Sequence, residues 1–314
     1  MDEPEHRFPR VVSLIASATE ILHGLGAGET QVARSHECDW PESVLALPAV
    51  TAARFDTSGS SRQIDERVKR LVADGLAVYE VDAQALRRLA PDVILTQDQC
   101  EVCAVSLADV ERAICAWTER PARIVSLKPH TMADVYGDIG AIAAAIGMPE
   151  TGARLIETMQ QRLAEVSAAV VDRPRPRLAF IEWIEPPMSG GHWMPELIEA
   201  AGGIDLLGTS GTNSPWITWR AVAEADPDAI LVAPCGYDVP RTAQEMEVLA
   251  SNATWQALRA VREGRVYVAD GNAFFNRPGP RLVDSVEILA EILHGDAADH
   301  GHQRAGHWVR WQST

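Results

Sequence analysis

The stretch RRLAPDVILTQ at residues 87–97 returns in altered form as AEADPDAILVA at residues 223–233. Each copy reads as a helix end, a Pro-Asp turn and an unbroken apolar run. Proline stops the preceding helix because it has no N–H and disfavours helical backbone in the residue before it. An apolar run of four or five residues without alternation belongs to a strand covered on both faces, as in a parallel sheet. Outward from the first copy, strands are expected at residues 10–15, 77–81, 93–96 and 123–127; outward from the second, at 177–181, 229–233 and 265–269. Helical periodicity fills the intervals. Both series open on a Pro-Arg strand, PRVVSLI at 9–15 and PRLAFIE at 176–182. Both close on strand, polar loop and helix, RIVSLKPHTMADV from residue 123 and RVYVADGNAFFN from residue 265. The fold class is therefore α/β, with two Rossmann-like lobes built on parallel sheets and a ligand cleft between them.

Residues 150–171 contain no proline and place Leu155, Met159, Leu163, Val166 and Val170 on one face. That is one amphipathic helix, roughly 33 Å long at about 1.5 Å per residue, ended by the prolines of DRPRPR at 172–177. The expected organisation is an N-terminal lobe over 1–128, a helical link over 129–174, a C-terminal lobe over 175–295, and a disordered tail over 296–314 carrying His300, His302 and His307.

Composition narrows the function. The chain has 314 residues, 46% hydrophobic and 23% charged, with a formal net charge of −16. Such a chain is globular, and so acidic a one does not grip a phosphate backbone, which excludes nucleic acid as a partner. No P-loop, dinucleotide fingerprint, nucleophile elbow or metalloprotease helix is present, so no nucleotide cofactor and no catalytic residue are expected. No apolar run approaches the roughly 20 residues that cross a bilayer. The opening MDEPEHRFPR lacks a basic region followed by an apolar one, which favours a cytoplasmic chain, or a periplasmic one if the native start differs. Five cysteines, Cys38, Cys100, Cys103, Cys115 and Cys235, make no secreted disulfide framework.

Ligands of open parallel sheets bind beyond the carboxyl ends of the strands, and the loops expected there are unusual. They read SHECDWP at 35–41, TQDQCEVC at 96–103, LKPHT at 127–131, EWIEPPMSGGHWMPE at 182–196, NSPWITW at 213–219 and GNAFFNRPGPR at 271–281. Trp40, Trp183, Trp193 and Trp216 lie in them beside Phe274 and Phe275. Any one aromatic can simply pack its loop down. Together they fit an apolar-walled cleft for a large, flat, partly polar ligand, with Gln97 and Asp98 among the polar groups that orient it.

The ordered blocks RVVSLIASATEIL (10–22), LAPDVILT (89–96), MSGGHWMPELIEAAGG (188–203), SPWITWRAVAEADPDAILV (214–232) and FFNRPGPRLVDSVEIL (274–289) resemble a known family. It is that of the helical-backbone, class III substrate-binding proteins of ABC importers for cobalamin, haem and ferric siderophores, and the resemblance is closest to the vitamin B12 (cobalamin) branch. It implies non-catalytic binding of a corrinoid, with a permease as protein partner. It places Trp40, Phe55, Trp216, Phe274 and Phe275 among cleft aromatics, Arg277 and Arg281 ahead of the last helix, and Glu199 as the acidic permease contact, with Gln84 at the corresponding first-lobe position.

Some residues exceed that pattern. His36 and His192 are either hydrogen-bonded loop histidines or axial ligands to the corrinoid cobalt, and Cys38 is expected beside the cleft. Cys100 and Cys103 form a CxxC that is either buried small apolar residues or a metal-ligand pair, although zinc needs about four ligands. Haem or a ferric siderophore is the alternative ligand, but siderophores call for more basic loop residues than Lys128, Arg220, Arg277 and Arg281. A tetrapyrrole metal chelatase is a second alternative, needing a histidine paired with a carboxylate, such as His36 with Glu37 or His192 with Glu196.

Overall fold

The computed structural model describes residues 8–74, 77–97 and 122–312, with the backbone alone at 296 and 297. These residues form two compact units. One lies within Met1–Ser58, Glu66–Pro129 and Ala133–Glu157, the other within Gly59–Asp65, His130–Met132 and Thr158–Thr314.

The first unit is built on β1 (Val11–Ser13), β2 (Gln31–Arg34), β5 (Val93–Gln97) and β6 (Arg123–Leu127), in the order β2, β1, β5, β6, with all neighbours parallel. Here β5 is buried at all five residues, as its unbroken apolar run predicts. The segment expected as a strand at 77–81 is a correction of place. It forms β4 (Tyr79–Val81), which pairs antiparallel with β3 (Thr51–Ala53) outside the parallel sheet. Its residues are only partly buried, which suits a two-stranded ribbon and not a sheet interior.

The second unit carries β7 (Arg177–Trp183), β8 (Met188–Ser189), β9 (Ile204–Asp205), β10 (Ala229–Val232), β11 (Val266–Ala269) and β12 (Trp308–Arg310). Its backbone order is β12, β11, β10, β7, β8, with β9 also on β7; β7, β10 and β11 run parallel, while β8 and β12 are antiparallel edges. Trp219, Trp255 and Trp311 meet edge to face in its core, at ring separations of 5.0 and 6.3 Å.

The repeat that reveals the fold is the same device in both units. The helices Ala83–Leu89 and Trp219–Ala225 end on left-handed residues, Ala90 and Asp226, with φ of 42° and 43°. In each copy the aspartate after the proline accepts the backbone N–H of the arginine that opens the first strand: Asp92 from Arg10 at 2.9 Å and Asp228 from Arg177 at 2.8 Å. That arginine's side chain donates back to the helix end, Arg10 to the carbonyl of Leu89 and Arg177 to that of Ala225. The Pro-Arg and Pro-Asp motifs are thus two halves of one joint that satisfies carbonyls left over at the helix terminus.

The expected long helix is Pro149–Val170, with Met159, Val166 and Val170 buried along one face. Its early turns close on the preceding helix Met132–Ala145, where a Cβ at Gly152 would come within 2.6 Å of the Ala143 Cβ. Residues 296–312 correct another expectation, since they are no loose tail. They lead into β12 on β11, and Trp308 and Trp311 are buried. Glu291 fastens them, as one buried carboxylate accepting from the backbone N–H groups of His300, His302 and Gln303 and from the Trp308 indole, all at 2.7–2.9 Å.

Candidate functional site

The parallel strands of each unit end on one sheet edge, and the candidate loops collect there. In the first unit the loop leaving β2 is held from within by Arg34. Its guanidinium donates to the carbonyls of Ser35, His36 and Cys38 at 3.0, 3.4 and 3.2 Å, pulling residues 35–38 into a tight turn. Thr51 on β3 is the second anchor, its hydroxyl lying 3.0 Å from the His36 backbone N, 2.7 Å from His36 Nδ1 and 2.9 Å from Ser35 Oγ. Burial holds the His36 imidazole below its ordinary pKa, with Arg34 adding to that effect and Glu37 opposing it. The Tyr79 hydroxyl donates to Glu37 at 2.7 Å and its ring stands 5.1 Å from that of His36. Glu37 thus accepts from Tyr79 and also acts electrostatically on His36.

Cys38, expected beside the cleft, lies in the interior. It is fully buried with Ala16 and Val44, and the Thr19 hydroxyl donates to its sulfur at 3.1 Å. Trp40, two residues on, is 41% exposed and joined to Pro41 by a cis peptide. Phe55 is half-buried, and Gln97 closes β5 with little exposure. Asp98, Cys100 and Cys103 lie outside the described residues.

In the second unit the β7–β8 hairpin leads through Gly190 and Gly191 into the helix Met194–Ala200. The glycines permit close passage, since a Cβ at Gly191 would stand 2.5 Å from the Thr212 carbonyl oxygen and 2.6 Å from the Ser214 nitrogen. Ser214 accepts from the Gly191 N–H at 3.1 Å and donates to Glu182 at 2.8 Å, tying this loop to residues 212–214. Gly191→Ala must therefore push backbone apart; a thermal melt should show a loss of about 1–3 kcal/mol, typical of overpacking.

His192 follows with φ of 50°, its N–H on the Thr212 carbonyl at 2.6 Å and its ring stacked on Trp193 at 5.6 Å. Its Nδ1 lies 3.1 Å from Nδ1 of His130, a residue that sequence reading passed over. His130 sits beyond the end of β6, where the strand-end rule points, but a lone histidine in a short loop carries no partner in its spacing. Burial and the neighbouring His130 hold His192 below its ordinary pKa. Glu196 takes the Ser210 hydroxyl at 2.6 Å and the Met132 backbone N–H at 3.2 Å, fastening these loops together.

The aromatic wall divides on exposure. Trp216 is 54% exposed and bridges to Met188. Trp183 is half-buried and meets Tyr237 edge-on at 5.4 Å, with the Arg241 guanidinium 3.9 Å over the Tyr237 ring. Trp193, Phe274 and Phe275 are buried. Trp193 is interior, its indole donating to the Phe275 carbonyl at 2.8 Å. Phe275 is fully buried 5.6 Å from Phe180, and Phe274 packs against His307 at 4.8 Å. The loop of Phe274 and Phe275 is tied to its surroundings: Asn276 donates to the carbonyls of Ala233 and Gly271, and the Phe275 N–H donates to the Ser285 hydroxyl. Arg277, 9% exposed, donates to Asn272 at 2.9 Å. Glu199 is exposed, with Arg175 at 3.6 Å.

Residues 11–273 match the model of the periplasmic binding protein family. The chain belongs to that family. It is 23% identical over 295 residues to the vitamin B12-binding protein of Vibrio cholerae, covering 91% of this chain and 90% of that one. It is also 23% identical to an uncharacterized ABC transporter substrate-binding lipoprotein of Bacillus subtilis, over 91% of this chain and 80% of that protein. Among solved structures, the periplasmic vitamin B12 binding protein BtuF of Vibrio cholerae superposes with a TM-score of 0.65 at 21% identity, covering 91% and 96% of the two chains. A periplasmic heme binding protein from Pseudomonas aeruginosa gives 0.68 at 19%, covering 92% and 94%. At these identities the likeness establishes the two-lobed α/β fold. The family is one of binding proteins, and its periplasmic character gives no support to the cytoplasmic expectation. No helix among the described residues is long and apolar enough to cross a membrane.

Proposed function

We propose that this family member binds a corrinoid, without chemistry, through the carboxyl-edge loops of its units and delivers it to an ABC-transporter permease. The observation that carries the reading is that the second unit leaves Trp216 more than half exposed while packing Trp193, Phe274 and Phe275 inward. A large apolar side chain kept exposed on a loop bridged to the sheet edge serves as an anchor for a partner or ligand. Trp40 plays the corresponding part on the first unit's loop. Charged groups on these loops are hydrogen-bonded to neutral groups of the protein, as with Arg34 on loop carbonyls, Arg277 on Asn272 and Glu37 with Tyr79, which suits a ligand rich in neutral amides. The curated relatives named for vitamin B12 support the same choice. His36, engaged at Nδ1 by Thr51, would meet the cobalt through Nε2. Glu199 and Gln84, both exposed, are the proposed permease contacts.

The test is titration of the purified protein with cyanocobalamin and, separately, with hemin. Cyanocobalamin should bind at least tenfold more tightly, and Trp216→Ala should weaken it on the order of tenfold, the loss of about 1.4 kcal/mol typical of a moderate anchor. Tighter binding of hemin would replace the corrinoid by haem, a ligand that the heme-binding neighbours favour. Turnover of a metal-free tetrapyrrole with Co²⁺ would overturn the binding-only reading.

A further inference from the structure

His130 and His192 approach with Nδ1 atoms 3.1 Å apart and ring planes 36° from parallel. Two neutral imidazoles facing Nδ1 to Nδ1 hold one hydrogen between them, and without it two lone pairs converge on one point. Nitrogens bound to a common metal at about 2.0–2.1 Å stand about 3.3 Å apart at the tetrahedral angle. The observed separation lies between that value and an ordinary hydrogen bond of about 2.9–3.0 Å, so an ion would enter with a shift of a few tenths of an ångström.

His192 is fixed in advance. Its left-handed backbone is unusual for a residue with a Cβ, its N–H and C=O are both bonded, to Thr212 and from Gly211, and its ring lies on Trp193. Strain of this sort, held by the surrounding structure, gathers at functional positions. Both histidines are half-buried, which leaves room for further ligands on an ion.

We infer that His130 and His192 form a cis-bidentate site for a divalent transition-metal ion such as Cu²⁺, Ni²⁺ or Zn²⁺. On binding, the ring that carries hydrogen at Nδ1 moves it to Nε2, so the two neutral imidazoles take up the ion without net proton release. Among the described residues no group of three or more His, Cys, Asp or Glu completes a metal site. The metal of a tetrapyrrole does not fit this pair. A macrocycle leaves only trans axial positions, whose ligand atoms lie about 4 Å apart on opposite faces at the same bond lengths. The site is therefore independent of corrinoid binding.

A second facing pair, His302 and His307, shows the contrast. Its Nδ1 atoms are 2.8 Å apart, the shorter separation of a shared hydrogen, and its buried member His302 is already engaged at Nε2, 3.0 Å from Glu287.

The experiment is a Cu²⁺ titration of the full chain after treatment with a chelator, read by calorimetry and by electron paramagnetic resonance. One equivalent should bind with coupling to two nitrogens. His130→Ala and His192→Asn, the latter chosen because asparagine tolerates left-handed backbone, should each weaken it at least roughly 100-fold, since losing an outer contact of a metal ligand alone costs 10–100-fold. His302→Ala should leave it unchanged. Wild-type affinity in either site variant, each shown folded by its melting curve, or loss of binding in His302→Ala, overturns the inference. Cyanocobalamin titrated into the same metal-free samples separates the two claims, because either result stands without the other.

Discussion

Glu291→Ala is expected to destabilise the second unit by on the order of 3 kcal/mol, the cost of leaving two buried and two part-buried donors without their acceptor. The carboxylate is almost wholly buried and receives four N–H groups, three from the backbone at 300–303 and one from Trp308. Without it β12 loses its fastening to the helix Leu282–His294, and Trp311 its place against Trp255. Thermal melts should show the drop, and hydrogen exchange should open first at Trp308–Arg310. A melting temperature within one degree of wild type would show that the C-terminal segment is not held by this residue.

The same group sets an acid limit. Burial alone would raise the Glu291 carboxyl, but the hydrogen bonds from Trp308, His302, Gln303 and His300 outweigh it and hold it below the ordinary range. A carboxyl depressed on folding contributes fully above its unfolded pKa, about 4.3, and loses that contribution as pH falls through its folded value. The gap between wild type and Glu291→Ala should therefore be constant near neutrality and close progressively below about pH 4. A gap that persists unchanged to pH 2 would contradict this account.

Phe275→Ala should cost about 3–5 kcal/mol, the range for truncating a buried aromatic, and lower the melting temperature by on the order of 10 °C. Phe275 fills the space against Phe180 and its backbone receives the Trp193 indole. Its effect on ligand affinity, measured well below the melt, should be slight beside that of Trp216→Ala. The reverse ranking would mean that Phe275 reaches the ligand, and the inward packing described above would be wrong.

The two families of aromatics mark where sequence reading ends. Strand ends, glycine-lined loops and the repeat of Pro-Asp and Pro-Arg motifs are local, and they specify the units because a proline or an unbroken apolar run has one structural meaning wherever it occurs. Trp216 and Phe275 lie in equally plausible strand-end loops, and no spacing separates the one that stays exposed from the one that turns in. His130 and His192 are 62 residues apart, and Glu291 meets its partners 9 to 17 residues further on. Such meetings depend on how elements pack, and packing is decided by shape and by the pairing of every buried polar group. By itself the sequence determined two α/β units, the helix Pro149–Val170 and the edge on which to look for a site. Only the tertiary structure decided which aromatics remain outside, that Cys38 is sealed under Thr19, and that the C-terminal histidines belong to the fold, because exposure and hydrogen-bond partnership are properties of the packed whole.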